Sequence, residues 1–209
     1  MRNQNWTTAV LGTVLSCALL LSGCAGGQDV EEPSGTEQME QTEESVTETT
    51  ETTEETKIRV LESFTAKTLE EGTFTEDDLA QKDVTVMNFW ATFCGPCIVE
   101  MPDIAEFAET LPDNVQIVTV CLDGESDLEG VADILDQAGY AGITLLSGDG
   151  DFEALCRQVM YTPTTIVVDK DGNMIGDAII GGQTDLAKSY TDAINKALLS
   201  MGKAELGSE

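Results

Sequence analysis

Residues 89–102 read FWATFCGPCIVEMP, with Cys94 and Cys97 set apart by Gly95 and Pro96. Such a pair can be a redox centre, half of a metal site or a structural disulfide. The flanking residues narrow the choice. VTVMNFW (84–90) is β-branched, aromatic and almost continuously apolar, the composition of a strand buried on both faces. After the cysteines, Ile98, Met101, Ile104, Ala105, Ala108 and Leu111 recur at helical spacing. Pro102 lies inside that helix and should bend it. The two cysteines therefore stand where a core strand passes into a helix.

That position has chemical consequences. A helix start carries unsatisfied backbone N–H groups and a partial positive charge. A thiolate at Cys94 is stabilised there, so its pKa should be lowered and the thiol reactive. Pro96 suits a first helical turn, where no N–H donor is needed. The spacing brings the two Cα atoms within disulfide range, roughly 5–6 Å. The ring so closed is tiny and adds little stability. A bond of this kind is better explained as one that opens and closes than as a staple. Cys94 would attack a partner disulfide and Cys97 would resolve the mixed disulfide.

Outward from this centre the elements alternate. VQIVTVCLD (115–123) is a second buried strand and SDLEGVADILDQAG (126–139) a helix ended by Gly139. ITLLS (143–147) is a short strand, DFEALCRQV (151–159) a helix, and TTIVVD (164–169) a third core strand. Lys170-Asp171-Gly172 is a tight turn into NMIGDAII (173–180). TDLAKSYTDAINKALL (184–199) is a closing amphipathic helix with Thr184 as its cap. Upstream, SFTAKTL (63–69) is a strand, Gly72 a turn, and EGTFTEDDLAQ (71–81) a strand running into a helical turn. The alternation predicts an α/β fold around one sheet, and the turn at Asp171-Gly172 adds an antiparallel edge hairpin.

The totals exclude several chemistries. The 209 residues carry a net charge of −29 and 41% apolar residues, enough for a core and no basic cluster for nucleic acid. The chain has no histidine. A Ser-His-Asp triad, a Cys-His pair, His-ligated zinc and haem attachment through C-x-x-C-H are therefore out. The first 24 residues, MRNQNWTTAVLGTVLSCALLLSGC, place Arg2 before an apolar run from Ala9 to Leu21. The run is shorter than a comfortable span of about 20 residues and ends in small side chains, as a secretory signal does. Leu21-Ser22-Gly23-Cys24 resembles a bacterial lipobox, which implies cleavage before Cys24 and lipid on that cysteine. An uncleaved anchor helix is the alternative; both put the remainder outside the cytoplasm. Residues 26–56 are almost wholly Glu, Thr, Ser, Gln and Gly, the composition of a disordered, self-repelling tether. The expected organisation is a signal peptide over 1–23, a tether over 24–56, one domain over 57–202 and a disordered tail over 203–209. A monomer is expected.

NFWATFCGPC, followed by Met101-Pro102 and later by YTPTTIVVD (161–169), resembles the thioredoxin-like TlpA/ResA family of extracytoplasmic thiol–disulfide oxidoreductases. The likeness covers about residues 60–200. It implies a thioredoxin-like fold: a central mixed β-sheet flanked by helices, with an N-terminal β extension and a helical insertion at 126–139. By the same likeness Cys94 matches the exposed nucleophile and Cys97 the buried resolving thiol. Thr162-Pro163 matches a loop whose cis-proline sits beside the disulfide and offers backbone groups to the substrate chain. Glu100 matches the glutamate of a C-x-x-C-x-x-E pattern. A carboxylate one turn beyond Cys97 would oppose thiolate formation and could shuttle its proton; a solvated helix residue is the plain alternative. Asn88 stands where cytoplasmic thioredoxins carry a buried aspartate, which makes Glu100 the replacement. Phe93 replaces the usual tryptophan as an apolar cover over Cys94. Trp90 is either a second cover or core packing.

The resemblance implies no cofactor and no metal. Its partners are disulfide-bearing clients, with apocytochrome c, a sporulation factor and methionine sulfoxide reductase as family precedents, and a membrane electron donor of the CcdA/DsbD type. The competing readings are a four-thiolate metal site, a peroxiredoxin and a non-catalytic binding lipoprotein. The first would need Cys121 and Cys156, which lack knuckle spacing. The second needs a Pro-x-x-x-Thr-x-x-Cys context, which is absent. The third is disfavoured because both cysteines, the helix proline and Thr-Pro are all present. Cys121 and Cys156 themselves could be buried thiols, a second disulfide or, least plausibly, a redox relay.

Overall fold

The computed structural model describes residues 58–207. The expected signal peptide and tether, with Cys24, lie outside the described residues. In chain order the elements are β1 (Ile58–Arg59), β2 (Phe64–Thr68), β3 (Thr73–Thr75), α1 (Glu76–Leu79), β4 (Val84–Trp90) and α2 (Gly95–Glu109). Then follow β5 (Val115–Cys121), α3 (Leu128–Ala138), β6 (Ile143–Gly150), α4 (Asp151–Cys156), β7 (Thr164–Asp169), β8 (Asn173–Met174), β9 (Ile179–Ile180) and α5 (Leu186–Ser200).

The strands form one mixed sheet in the order β1-β8-β7-β4-β5-β6-β2-β3, with β9 also paired to β7. β4, β5 and β6 run parallel, and β7 joins β4 antiparallel. This is the thioredoxin-like arrangement that the sequence implies. β4 and β7 are buried along their whole length. Alternation of side chains across the pleat sorts them into two cores. Val84, Val86 and Trp90 join the core built with α2, α3 and α5, whereas Met87 and Phe89 join the core built with β2, α1 and α4. Asn88 and Thr165 are register partners on the α2/α5 face. A polar pair is thus delivered into the layer beneath the cysteines.

Several expectations are corrected. Met101, Ile104 and Ala105 are buried on α2 as the apolar spacing predicts and Ala108 and Leu111 pack against the same core, but Cys97 and Glu100 begin the inward face and Ile98 is 39% exposed. α5 is capped by Asp185 rather than Thr184: the Asp185 carboxylate accepts the Lys188 N–H at 3.0 Å. The hairpin strand β8 is not the sheet edge, because β1 pairs beyond it. Residues 203–207, expected as a disordered tail, turn back on α5. The Lys203 N–H bonds the Leu198 carbonyl, Leu206 N–H bonds the Asn195 carboxamide at 2.7 Å, and Lys203 pairs with Asp83.

Candidate active site

Cys94 and Cys97 are joined as a disulfide with Cα atoms 5.3 Å apart. Cys94 is the N-cap of α2, with extended backbone, and its sulfur accepts the Cys97 N–H at 3.3 Å. That bond is one of the orphan donors of a helix start, the kind of group that favours a thiolate once the disulfide opens. Both residues are buried, Cys94 keeping 7% of its surface and Cys97 none. The pair is thus asymmetric, with Cys94 the less enclosed of the two.

The site lies at one end of the sheet. The C-terminal ends of β4 and β5 meet there, with Trp90 paired to Cys121. β7 starts at the same end, where Thr164 is the register partner of Phe89. The peptide bond between Thr162 and Pro163 is cis, and Pro163 is buried. The Pro163 carbonyl accepts the Gly181 N–H at 2.8 Å, which ties this loop to the segment after β9. That segment reaches the first turn of α2: a Cβ added to Gly182 would lie 3.5 Å from Glu100 Oε2 and 3.9 Å from Pro96 Cβ.

Glu100 is not a solvated helix residue. It is 7% exposed and shares the inward face of α2 with Cys97. Asn88 Nδ2 lies 3.3 Å from Glu100 Oε1, 3.0 Å from Thr165 Oγ1 and 3.3 Å from the Tyr190 hydroxyl. Thr165 and Tyr190 share a further bond of 2.8 Å. An amide NH₂ has two hydrogens for these three acceptors. Asn88 Oδ1 and Glu100 Oε2 make no hydrogen bond of ordinary geometry, the Gln183 backbone amide lying near the Glu100 carboxyl without closing one. The cluster is short of donors, so a proton on Glu100 relieves it. Burial accordingly pushes the Glu100 carboxyl above its usual range. The Asn88 bond and the nearby Gln183 amide oppose the rise, and Asp103 adds to it.

Of the other residues singled out from sequence, Phe93, next to Cys94 in the chain, is 81% exposed. Trp90 is fully buried, with its indole N–H unpaired, and packs in the α2/α5 core; it has no surface to offer a substrate. Cys121 and Cys156 remain thiols. Cys121 belongs to the α2/α5 core and Cys156 packs against the opposite one, so neither a second disulfide nor a four-thiolate set is assembled. Burial pushes the Cys156 thiol up to about 11 and holds Cys121 well above the usual thiol range, with Asp123 adding to the latter effect. Both are unreactive at neutral pH. Tyr190 and Thr165 were not singled out from sequence. Their signal was a hydroxyl on the inward stripe of α5 and a threonine in register with Asn88.

Comparison with known proteins agrees with this geometry. The Redoxin family matches residues 46–193. A thioredoxin-like protein of Haemophilus influenzae is 30% identical over 110 residues, covering 53% of this chain and 63% of that protein. The thiol–disulfide oxidoreductase ResA of Bacillus thuringiensis is 32% identical over 123 residues, 58% of this chain and 68% of ResA. The chain thus spans about two thirds of the length of these relatives. The solution structure of a thioredoxin-like protein from Neisseria meningitidis superposes with a TM-score of 0.54 at 26% identity, covering 66% of this chain and 89% of the other. The chain therefore belongs to the Redoxin family, as a TlpA/ResA-like protein of thioredoxin fold that bears the cysteine pair of a thiol–disulfide oxidoreductase.

Proposed function

We propose that this protein is a lipid-anchored oxidoreductase on the outer face of the bacterial cell membrane, and that it reduces disulfides in partner proteins. The observation that carries the reaction class is the disulfide at the start of α2, with Cys97 fully enclosed and Cys94 the less enclosed of the pair. The location rests on the lipobox-like ending at Cys24 and on the TlpA/ResA likeness. Among the described residues no helix is long and apolar enough to cross a membrane.

In the reduced protein the Cys94 thiolate attacks one sulfur of the partner disulfide. A mixed disulfide forms and the partner's other sulfur leaves as a thiolate. Cys97 then gives up its proton and attacks Cys94, closing the intramolecular disulfide and releasing the partner's second sulfur as a thiolate, which is protonated. Two electrons pass from the pair to the partner. A dithiol donor in the membrane, of the CcdA/DsbD type, restores the thiols. Glu100 shares the inward face of α2 with Cys97 and is the candidate acceptor of its proton. At the other side of the site Pro163 has no N–H and its carbonyl is engaged by Gly181, so Thr162 supplies the backbone groups for the partner chain. Phe93 and the exposed Tyr161 provide apolar contact beside it. Apocytochrome c and methionine sulfoxide reductase fit this chemistry as clients.

Trapping with Cys97→Ser tests the proposal. The variant should accumulate mixed disulfides through Cys94, and their partners name the clients. If no adduct forms in cells and the purified protein fails to reduce insulin with dithiothreitol as donor, the reading is wrong.

A further inference from the structure

Asp123 lies two residues beyond the end of β5 and is 31 residues from Thr92 in sequence. Its carboxylate nonetheless gathers every side-chain and backbone donor of Thr92. Thr92 N–H reaches Oδ1 at 2.9 Å and Oδ2 at 3.3 Å, and the Thr92 hydroxyl donates to Oδ2 at 2.6 Å. The Cys121 thiol donates to Oδ1 at 3.2 Å. Burial works against the charge, but the Thr92 hydroxyl and amide, with the Cys121 thiol, hold the Asp123 carboxyl below its usual range.

Thr92 is the middle of the three-residue bridge, Ala91 to Phe93, between β4 and the nucleophile. One end of that bridge is bound to Cys94, whose N–H donates to the Ala91 carbonyl at 3.0 Å. Just ahead of the bridge, the Trp90 carbonyl at the end of β4 accepts the N–H of Leu122, the residue that follows β5, at 2.9 Å. Asp123 is itself braced. Its carbonyl accepts both the N–H and the hydroxyl of Ser126, at 3.0 and 2.8 Å. The next residue, Gly124, is packed so closely that a Cβ there would lie 2.6 Å from Leu146. The anchor is thus held by its own backbone bonds, and a charge-assisted bond to it fixes direction as well as distance.

We propose that Asp123 is a positioning residue for the reaction: by clamping Thr92 it fixes the bridge that seats the Cys94 sulfur at the N-terminus of α2. The inference rests on Cys94 being the attacking thiol. The seat matters because helix-end stabilisation falls off within the first turn, so a thiolate that swings away from it loses the benefit.

The test follows the rate of Cys94 carboxamidomethylation by iodoacetamide across pH in the reduced full chain, read on the Cys94 peptide by mass spectrometry. Asp123→Asn and Thr92→Val should both shift the midpoint upward and lower the rate at pH 7 by roughly three- to tenfold, the span of a half to one pKa unit. Thr92→Ser keeps the hydroxyl and the N–H and should restore the wild-type profile. Cys121→Ala removes only the third donor and should titrate like wild type. Thr92→Val keeps the question answerable should Asp123→Asn fail to fold. If both variants lose thermal stability but keep the wild-type Cys94 midpoint, Asp123 is a plain brace and the proposal fails. A midpoint that falls in Asp123→Asn while Thr92→Val is unchanged also overturns it, because the carboxylate then acts by charge alone. The titration needs no partner protein, so a failure of the wild type to reduce insulin would sink the proposed function without touching this readout.

Discussion

At the residue scale, the informative group is Glu100, a carboxyl on the inward face of α2 in a cluster with more acceptors than donors. Its raised pKa has a definite sign in stability. The folded protein holds this proton more tightly than the unfolded chain does. The Glu100 contribution to stability is therefore largest below the ordinary glutamate value of about 4.3, declines as pH rises through the raised value, and is flat above it. Glu100→Gln removes that decline. Thermal melts from pH 4 to pH 8 should show the variant gaining on the wild type as pH rises. A constant difference across the range would mean that the carboxyl titrates normally. The same residue shows where sequence reading stops. The C-x-x-C pair was legible from its spacing and its place after a buried strand. The burial of Glu100 was not, because periodicity counts apolar side chains and a buried carboxyl is invisible to it. The same count of apolar side chains put Ile98 on the inward face of α2, where Cys97 and Glu100 stand instead.

At the element scale, the β7–β8 turn and the N-terminus of α5 carry the sharpest local requirements. Gly172 has φ 76°, and a Cβ there would sit 1.8 Å from the Leu61 carbonyl oxygen. Its own carbonyl accepts the N–H groups of both Val60 and Leu61. Gly172→Ala should therefore strain the turn and loosen the strand pairing of β1, at a cost of about 1–3 kcal/mol. Asp185→Ala should cost about 1 kcal/mol through loss of the α5 cap, while Thr184→Ala should be near neutral. Urea melts of the three variants check this ordering, and equal loss at 184 and 185 would contradict the cap assignment. The elements themselves were legible because β4, β5 and β7 are apolar and β-branched and the helices keep their period. The cap was misplaced by one residue because Thr184 and Asp185 are both good capping types; backbone geometry chose between them. The clamp of Thr92 by Asp123 had no local signature, since it joins two loops through the fold rather than along the chain.

At the scale of the whole molecule, charge and layering govern how the site meets its surroundings. The chain carries −29 at neutral pH. Encounter with a basic client is therefore steered and with an acidic one opposed, in each case through solvent that salt screens. Reduction of a lysine-rich disulfide peptide should outpace that of a glutamate-rich one at low ionic strength. The gap should close by about 1 M salt, where the screening length is about 3 Å. Stopped-flow rates at several salt concentrations measure this, and a salt-independent ratio would refute it. The sheet also keeps Cys121 and Cys156 in separate cores, each with a raised pKa. In terms of throughput, the domain is a carrier with a capacity of two electrons and no internal reserve. In the proposed reducing role each turnover would empty it, so sustained flux would be set by how fast electrons are resupplied.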